Sequence, residues 1–296
     1  MRGILMNLGL GVCILVLSMY SSTAAVTATF LQRGVNTRAT AMGEAFVALA
    51  DDSTSLYQNP AGLIQMERKE FSIVHNNSWC GNTDEVYLSA GFPVAGGILA
   101  LAGHYVNAES ADQITVFTPF GLGMMAGYGK RISGRFSLGF SVGMDQNIIG
   151  SEKENIFLAN IGVLGKVSRA LFLGFAVNNI GRGLGTSAFP LTIRTGLALR
   201  DIPFTLGSIG KSMNGKIRMA LDMVKPVNGS SYYCAGVEWW IEELVALRLG
   251  YKSNQETGSG VTAGLGFKMG RLHLDYAHVD YGYLGVTHRV SLGWKW

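Results

Sequence analysis

The chain has 296 residues, 48% of them hydrophobic and only 15% charged, with 40 glycines and 6 prolines. Soluble domains carry charge at about a quarter of their positions, so this composition argues against an ordinary soluble domain. The formal charge of +4, about +3 without Arg2, is too weak and scattered for a nucleic-acid-binding surface.

Arg2, the apolar run Ile4 to Met19 and the small residues Ser21, Ser22, Thr23, Ala24 and Ala25 follow one another at the N-terminus. This is the three-part pattern of a secretory signal peptide, so residues 1–25 are expected to be removed on export. The alternative, a membrane anchor, needs a longer run of ~20 apolar residues. Cys13 lies in this leader. Cys80 and Cys234 are too few for a disulfide framework and read as free small residues.

Residues 26–68 lack strand alternation. Ala39 to Ala50 is small and apolar, and Asp51, Asp52, Ser53 and Thr54 lead into a short helix. Asn59-Pro60 ends it, because the residue before proline avoids helical angles. Two readings stand: a periplasmic tail, or a plug folded inward, for which small uncharged residues suit packing against a wall.

From Lys69 the period becomes two. Phe136, Leu138, Phe140, Val142 and Met144 share one face of a strand, with Ser137, Gly139, Ser141, Gly143 and Asp145 on the other. The same alternation marks Ile217 to Met223, Val245 to Tyr251, Ala263 to Met269 and Val290 to Trp296. These segments run about 10 to 12 residues, the length of a tilted membrane-spanning strand rather than the 5 or 6 of a soluble one. Aromatics gather near segment ends, among them Tyr128, Trp239, Trp240, Tyr251 and Trp294, as interfacial girdles require. Glycine, serine and charge on the other face suit a wet lumen.

Fourteen strands are expected, centred near residues 73, 88, 102, 126, 140, 161, 175, 195, 220, 235, 248, 264, 275 and 291. The fold is therefore all-β, a transmembrane antiparallel barrel over residues 69–296 in the outer membrane of a Gram-negative-type cell. An even count puts both termini on the periplasmic side. Residues 107–120, 148–154, 181–190, 253–259 and 280–286 fall on the outer side, with inner turns near Ser133, Ser168, Glu242 and Gly270. The stretch Asp201 to Gly215 is too long for an inner turn and suggests a further short strand near Phe204.

Alternation turns Arg218, Asp222, Glu238, Arg248, Lys268, Asp275 and Arg289 into the lumen, where opposite charges pair across the sheet. They read either as a neutralising network that holds plug to wall or as a polar path for a ligand's headgroup. Catalysis is not expected. His75, His104, His273, His278 and His288 sit in no metal-ligand spacing or nucleophile motif, and no phosphate-cradling loop appears. No cofactor or metal is implied.

The run after Arg38, ATAMGEAFVALADDSTSLYQNPAGL, resembles the N-terminal signature of the PorV/PorQ family. These are relatives of the FadL-type outer-membrane transporters of long-chain fatty acids. Shorter matches follow in order at Ala176 to Gly181, Ala220 to Asp222, Gly236-Val237-Glu238, Leu247 to Tyr251, Gly264 to Phe267, Asp275 to Ala277 and His288-Arg289. The resemblance implies a fourteen-stranded barrel with residues 26–68 as a hatch inside it. Met42, Gly43, Asp51, Asp52, Asn59, Pro60, Ala61 and Gly62 would belong to that hatch. Pro60 would fix a turn that Asn59 caps, and Ala61 and Gly62 would allow close approach to the wall.

Passive transport of hydrophobic small molecules such as long-chain fatty acids is the function this implies. The outer loops are shorter than those of fatty-acid transporters, which brings the chain nearer the PorV/PorQ branch, some of whose members serve protein secretion. A barrel that binds secreted protein substrates, through Val116, Phe117 and Phe120 of the loop 107–120, therefore remains open. The expected partners are outer-membrane lipid, a hydrophobic ligand or such substrates, and the assembly machinery that reads the terminal strand with Trp294 and Trp296.

Overall fold

A computed structural model of the chain describes residues 34–78, 83–108, 120–149, 152–183, 191–208, 211–255 and 257–296. The leader, residues 26–33, Cys80 and nearly all of the loop 107–120 lie outside them. Fourteen strands close into one antiparallel barrel. They are β1 (Glu70–Ser78), β2 (Thr83–Val94), β3 (Gly97–Ala108), β4 (Phe120–Arg131), β5 (Phe136–Ile149), β6 (Glu152–Lys166) and β7 (Leu171–Gly183). The second half comprises β8 (Thr192–Ser208), β9 (Lys211–Pro226), β10 (Tyr232–Ile241), β11 (Val245–Lys252), β12 (Val261–Met269), β13 (Leu272–Asp280) and β14 (Val286–Lys295). Every expected centre falls within its strand. Closure comes from β1 pairing with β14, from Glu70 opposite Lys295 to Ser78 opposite Thr287. Both ends of the sheet therefore meet at one rim, the periplasmic one, together with the short turns at Ala95-Gly96 and Gly270-Arg271.

Face assignment follows the sequence period. On β5, Leu138, Phe140 and Val142 are about half exposed, whereas Ser141 between them is completely buried. A soluble sheet would bury its apolar face. Here the apolar face points outward around the whole circumference, which only lipid satisfies. Trp239, Trp294 and Trp296 follow the outward rule near the periplasmic rim, and Trp296 meets Phe92 edge-on at 6.4 Å. Trp240 does not belong to the girdle. The alternation of β10 turns it inward, where the Arg248 guanidinium lies 5.9 Å from its ring.

The stretch Asp201 to Gly215 is no separate strand. β8 and β9 run on as one hairpin, paired from Thr192 opposite Pro226 to Ser208 opposite Lys211, with a register shift between Leu199 and Ile202. Asp201 takes a left-handed φ of 54° at this bulge. One extra residue breaks the period there, which is why the sequence suggests an interrupted connection with a separate short strand. The hairpin continues beyond the end of β10, whose Ile241 lies opposite Gly215.

A second bulge lies between β6 and β7, where the register shifts between Ala159 and Ile161 and Asn179 has φ 58°. The Asn160 side chain fills the step: its Oδ1 accepts from the Asn179 N–H at 2.8 Å.

The N-terminal segment precedes β1 and is enclosed by the barrel. Thr37–Ala41 and Ser55–Gln58 form short helices, and Pro60–Gln65 forms a 3-10 helix. From Ala39 to Leu63 its apolar side chains, including Met42, Phe46, Leu49, Leu56 and Leu63, are fully buried.

Candidate functional site within the barrel lumen

The segment is seated in three ways: by apolar packing, by glycine-lined contact and by polar anchors. Met42, Phe46 and Leu49 pack on Ala198, Ala220, Val224 and Cys234 of β8 to β10. Leu56, Leu63 and Met66 pack on Ile98, Ala100, Met125, Ile156 and Leu158 across the lumen. The free thiol of Cys234 serves as a small apolar filler.

Glycine on the inner wall does not line water here. A Cβ on Gly139 would collide with the backbone of Pro60 and Ala61, and one on Gly250 would collide with Gly43. The wall is thus notched so that the segment's backbone touches strand backbone. Gly62 makes its close approach not to the wall but to Ala50 of the segment itself.

Polar anchors occupy the remaining backbone groups. Asn59, fully buried, donates from Nδ2 to the Val47 carbonyl at 2.8 Å and the Val163 carbonyl at 3.2 Å, while its Oδ1 accepts from the Ala61 N–H. That fits a cap at the start of the 3-10 helix, with Pro60 at its first position. Asn178 of β7 donates to the Tyr57 and Gln58 carbonyls, and Asn160 donates to the Leu56 carbonyl. Asp222 of β9 accepts the N–H groups of Phe46 and Val47 at 2.7 and 2.8 Å.

Charge forms a ladder from segment to wall. Glu238 of β10, completely buried, receives Arg38 Nε at 2.6 Å, Arg248 Nε at 2.7 Å and Arg218 Nη1 at 3.5 Å. Arg38 and Asp51 both belong to the segment. Arg38 also binds Asp51 at 2.5 Å, and Asp51 in turn reaches Arg200 and Arg218 of the wall at 3.2 and 3.3 Å. Arg218 ends on Asp201 and Arg248 on Asp275. Burial opposes charge on Asp51, yet Arg38, Arg200 and Arg218 hold its carboxyl well below the usual carboxylate range. Its neighbour Asp52, bonded to Asn36 and Thr54, is shifted upward by burial and by the charge of Asp51.

Four of the seven wall charges singled out from sequence therefore share one network: Arg218, Glu238, Arg248 and Asp275. The other three do different work. Asp222 caps backbone. Lys268 faces Glu243 at the rim, 3.8 Å away. Arg289 binds the Gly34 carbonyl, Thr40 Oγ1 and Asn76. Near it, Lys295 pairs with Glu70 across the β14–β1 seam at 3.3 Å.

Sequence reasoning missed Arg38, Arg200, Asp201, Asn160 and Asn178. Arg38 offered a signal, being the lone cation ahead of a run whose only charges, Glu44, Asp51 and Asp52, are acidic. Asp201 opens the stretch read as too long for an inner turn, and Arg200 immediately precedes it. Of the segment's singled-out residues, Asp51, Asp52 and Asn59 carry side-chain anchors. Met42 packs in the apolar cluster, and Gly43 donates its N–H to Thr262 at 3.0 Å.

Between the ladder and the periplasmic rim lies a cavity of about 380 Å³, lined by Arg38, Asp51, Arg218, Arg248, Glu70 and Lys295 among others. Its charges are largely paired with one another. Among the described residues, no group of three or more histidine, cysteine or acidic side chains is arranged to hold a metal ion.

No protein-family model matches the chain, and no curated relative matches it by sequence. Solved structures do match. The Ralstonia pickettii toluene transporter TbuX superposes with a TM-score of 0.59 at 11% identity, covering 89% of this chain and 98% of the other. The P. putida toluene transporter TodX gives 0.58 at 10% identity, covering 89% and 99%. The CymD monoaromatic hydrocarbon channel gives 0.57 at 9% identity, covering 89% and 98%. The PorV/PorQ resemblance gains no support from these matches. The chain is an outer-membrane-type β-barrel similar in fold to FadL-type hydrocarbon channels.

Proposed function

We propose that this barrel carries hydrophobic small molecules across the outer membrane, with residues 26–68 as a hatch that must shift for passage. The observation that carries the reading is the seating of the N-terminal segment. It is held to the wall by apolar packing, a ladder of ion pairs and backbone contact, with no cysteine in it to form a disulfide cross-link, so it can be displaced and can return. A purely structural barrel has no need of separable charges across such a seam, since apolar residues of similar volume are often as stable as a buried ion pair.

The charged vestibule at the periplasmic rim is a poor resting place for an apolar molecule. The apolar surfaces of Met125, Ile156 and Leu158, covered by Leu56, Leu63 and Met66 until the segment shifts, are a better one, because ligand sites are mainly apolar with few polar groups. The ladder then works as the closure between the two. Long-chain fatty acids and alkylbenzenes both fall within the class.

Uptake by whole cells tests the reading, because an outer leaflet of lipopolysaccharide resists hydrophobic solutes that phospholipid vesicles admit unaided. A deletion strain should take up a labelled fatty acid or alkylbenzene more slowly and recover with the plasmid-borne gene. Normal uptake in the deletion strain, together with mis-secreted surface proteins, would sink the transport reading in favour of a secretion role.

A further inference from the structure

A cluster in the outer half of the lumen lies apart from the ladder. Tyr57 of the segment and Tyr87 of β2 flank His104 of β3, with ring centroids 6.5 and 5.6 Å from the imidazole. His104 Nε2 lies 3.5 Å from Asp145 Oδ1 of β5, and both side chains are at least 95% buried. Gly123 of β4 makes the room, since a Cβ there would run into the Asp145 carboxylate and the imidazole. Met125, Ile156 and Leu158 supply apolar surface against Tyr57.

Two buried polar atoms of this cluster have no hydrogen-bond partner among the described residues: the Tyr57 hydroxyl and Asp145 Oδ2. Burial, then the charge of Asp145, pushes the Tyr57 pKa up, so the hydroxyl stays a donor. One atom thus donates without an acceptor, and the other accepts without a donor. A buried polar group left in that state destabilises a fold, and native structures rarely keep one without a reason. Asp145 acts on Tyr57 through its charge, and a single hydroxyl placed between the two groups would accept from Tyr57 and donate to Asp145. Aromatic side chains beside it suit a ring, which stacks or meets them edge-on.

We propose that this cluster selects a monohydroxylated aromatic compound, its hydroxyl bridging Tyr57 and Asp145 and its ring lying among Tyr57, Tyr87 and His104. The inference rests on the transport reading and narrows its substrate class. Sites built to bond a hydroxyl discriminate strongly against the analogue lacking it, because their own polar groups are then left unpaired.

The test is equilibrium binding of p-cresol and toluene, which differ by the hydroxyl alone, to the purified full-length barrel in detergent, corrected with empty micelles. The wild type should bind p-cresol at least about tenfold more tightly. Tyr57→Phe and Asp145→Asn should each remove most of that preference, chiefly by weakening p-cresol, and the heat-modifiable band on gels reports that each variant barrel is folded. Equal affinity for the two ligands in the wild type overturns the inference and leaves the transport reading standing. Variants that lose both ligands alike assign the pair a structural role and overturn it too. Binding of neither ligand counts against both readings.

Discussion

Replacing Glu238 with glutamine should unseat the N-terminal segment more than any other conservative change in the lumen. The side chain keeps its volume, but a completely buried carboxylate that faces three guanidinium groups becomes neutral. Breaking a buried pair by removing one partner costs about 3–5 kcal/mol. The lower end applies here, because each arginine retains a second carboxylate: Asp51 for Arg38, Asp201 for Arg218 and Asp275 for Arg248. A loss of about 3 kcal/mol multiplies the released population about 150-fold, at tenfold per 1.4 kcal/mol. Planar-bilayer recording reads this directly as more frequent openings of Glu238→Gln than of wild type. Arg38→Gln should produce much of the same effect, and the double variant should fall well short of the sum, since the two residues touch. Additive effects, or opening rates within a factor of two of wild type, would refute the ladder as the latch.

Four further outcomes follow from the same geometry. Gly139→Ala should displace the segment at Pro60 and Ala61, raising sensitivity to hydrophobic antibiotics while the barrel still shows its heat-modifiable band on gels. Asn59→Ala removes three hydrogen bonds of a buried side chain and should cost about 1–3 kcal/mol of seating; the matching readout is faster labelling of cysteines placed in the segment. Acid should unseat the segment only well below pH 4. The Asp51 carboxyl is depressed when seated, so the released state binds more protons, and the contribution is complete above the ordinary value of 3.8 and lost as pH falls toward the seated one. Labelling rates that climb steeply between pH 7 and 5 would contradict this. Deleting Trp296 should leave export intact and reduce the folded barrel in the membrane; an unchanged amount would remove the terminal aromatic as an assembly signal.

The strands were legible because lipid imposes a strict period. Outward residues such as Phe140, Leu249 and Leu292 cannot be polar, and their inward neighbours are free to be anything else. Legibility failed wherever a bulge shifts the period by one, at Asp201 and at Asn179, because two adjacent residues then lose their face assignment. The lumen was half readable. Facing charges on adjacent strands, Glu238 beside Arg218 and Arg248, follow from alternation and register. Their third partner, Arg38, is 200 residues away in sequence and lies in no strand. The inner glycines were misread for the same reason. Gly139 and Gly250 look like a solvated wall until the segment that fills their notches is placed against them.

The central claim, that hydrophobic molecules pass only when the segment shifts, has a direct test in Ser53 and Ser89. One belongs to the segment and the other to β2, both are buried, and their hydroxyl oxygens lie 2.7 Å apart. In a background with Cys80 and Cys234 changed to alanine, Ser53→Cys with Ser89→Cys should form a disulfide that fixes segment to wall. Whole-cell uptake of a labelled hydrophobic compound should fall to the deletion-strain level when the bond is oxidised and return on reduction. Uptake at the wild-type rate with the bond fully formed would contradict the claim.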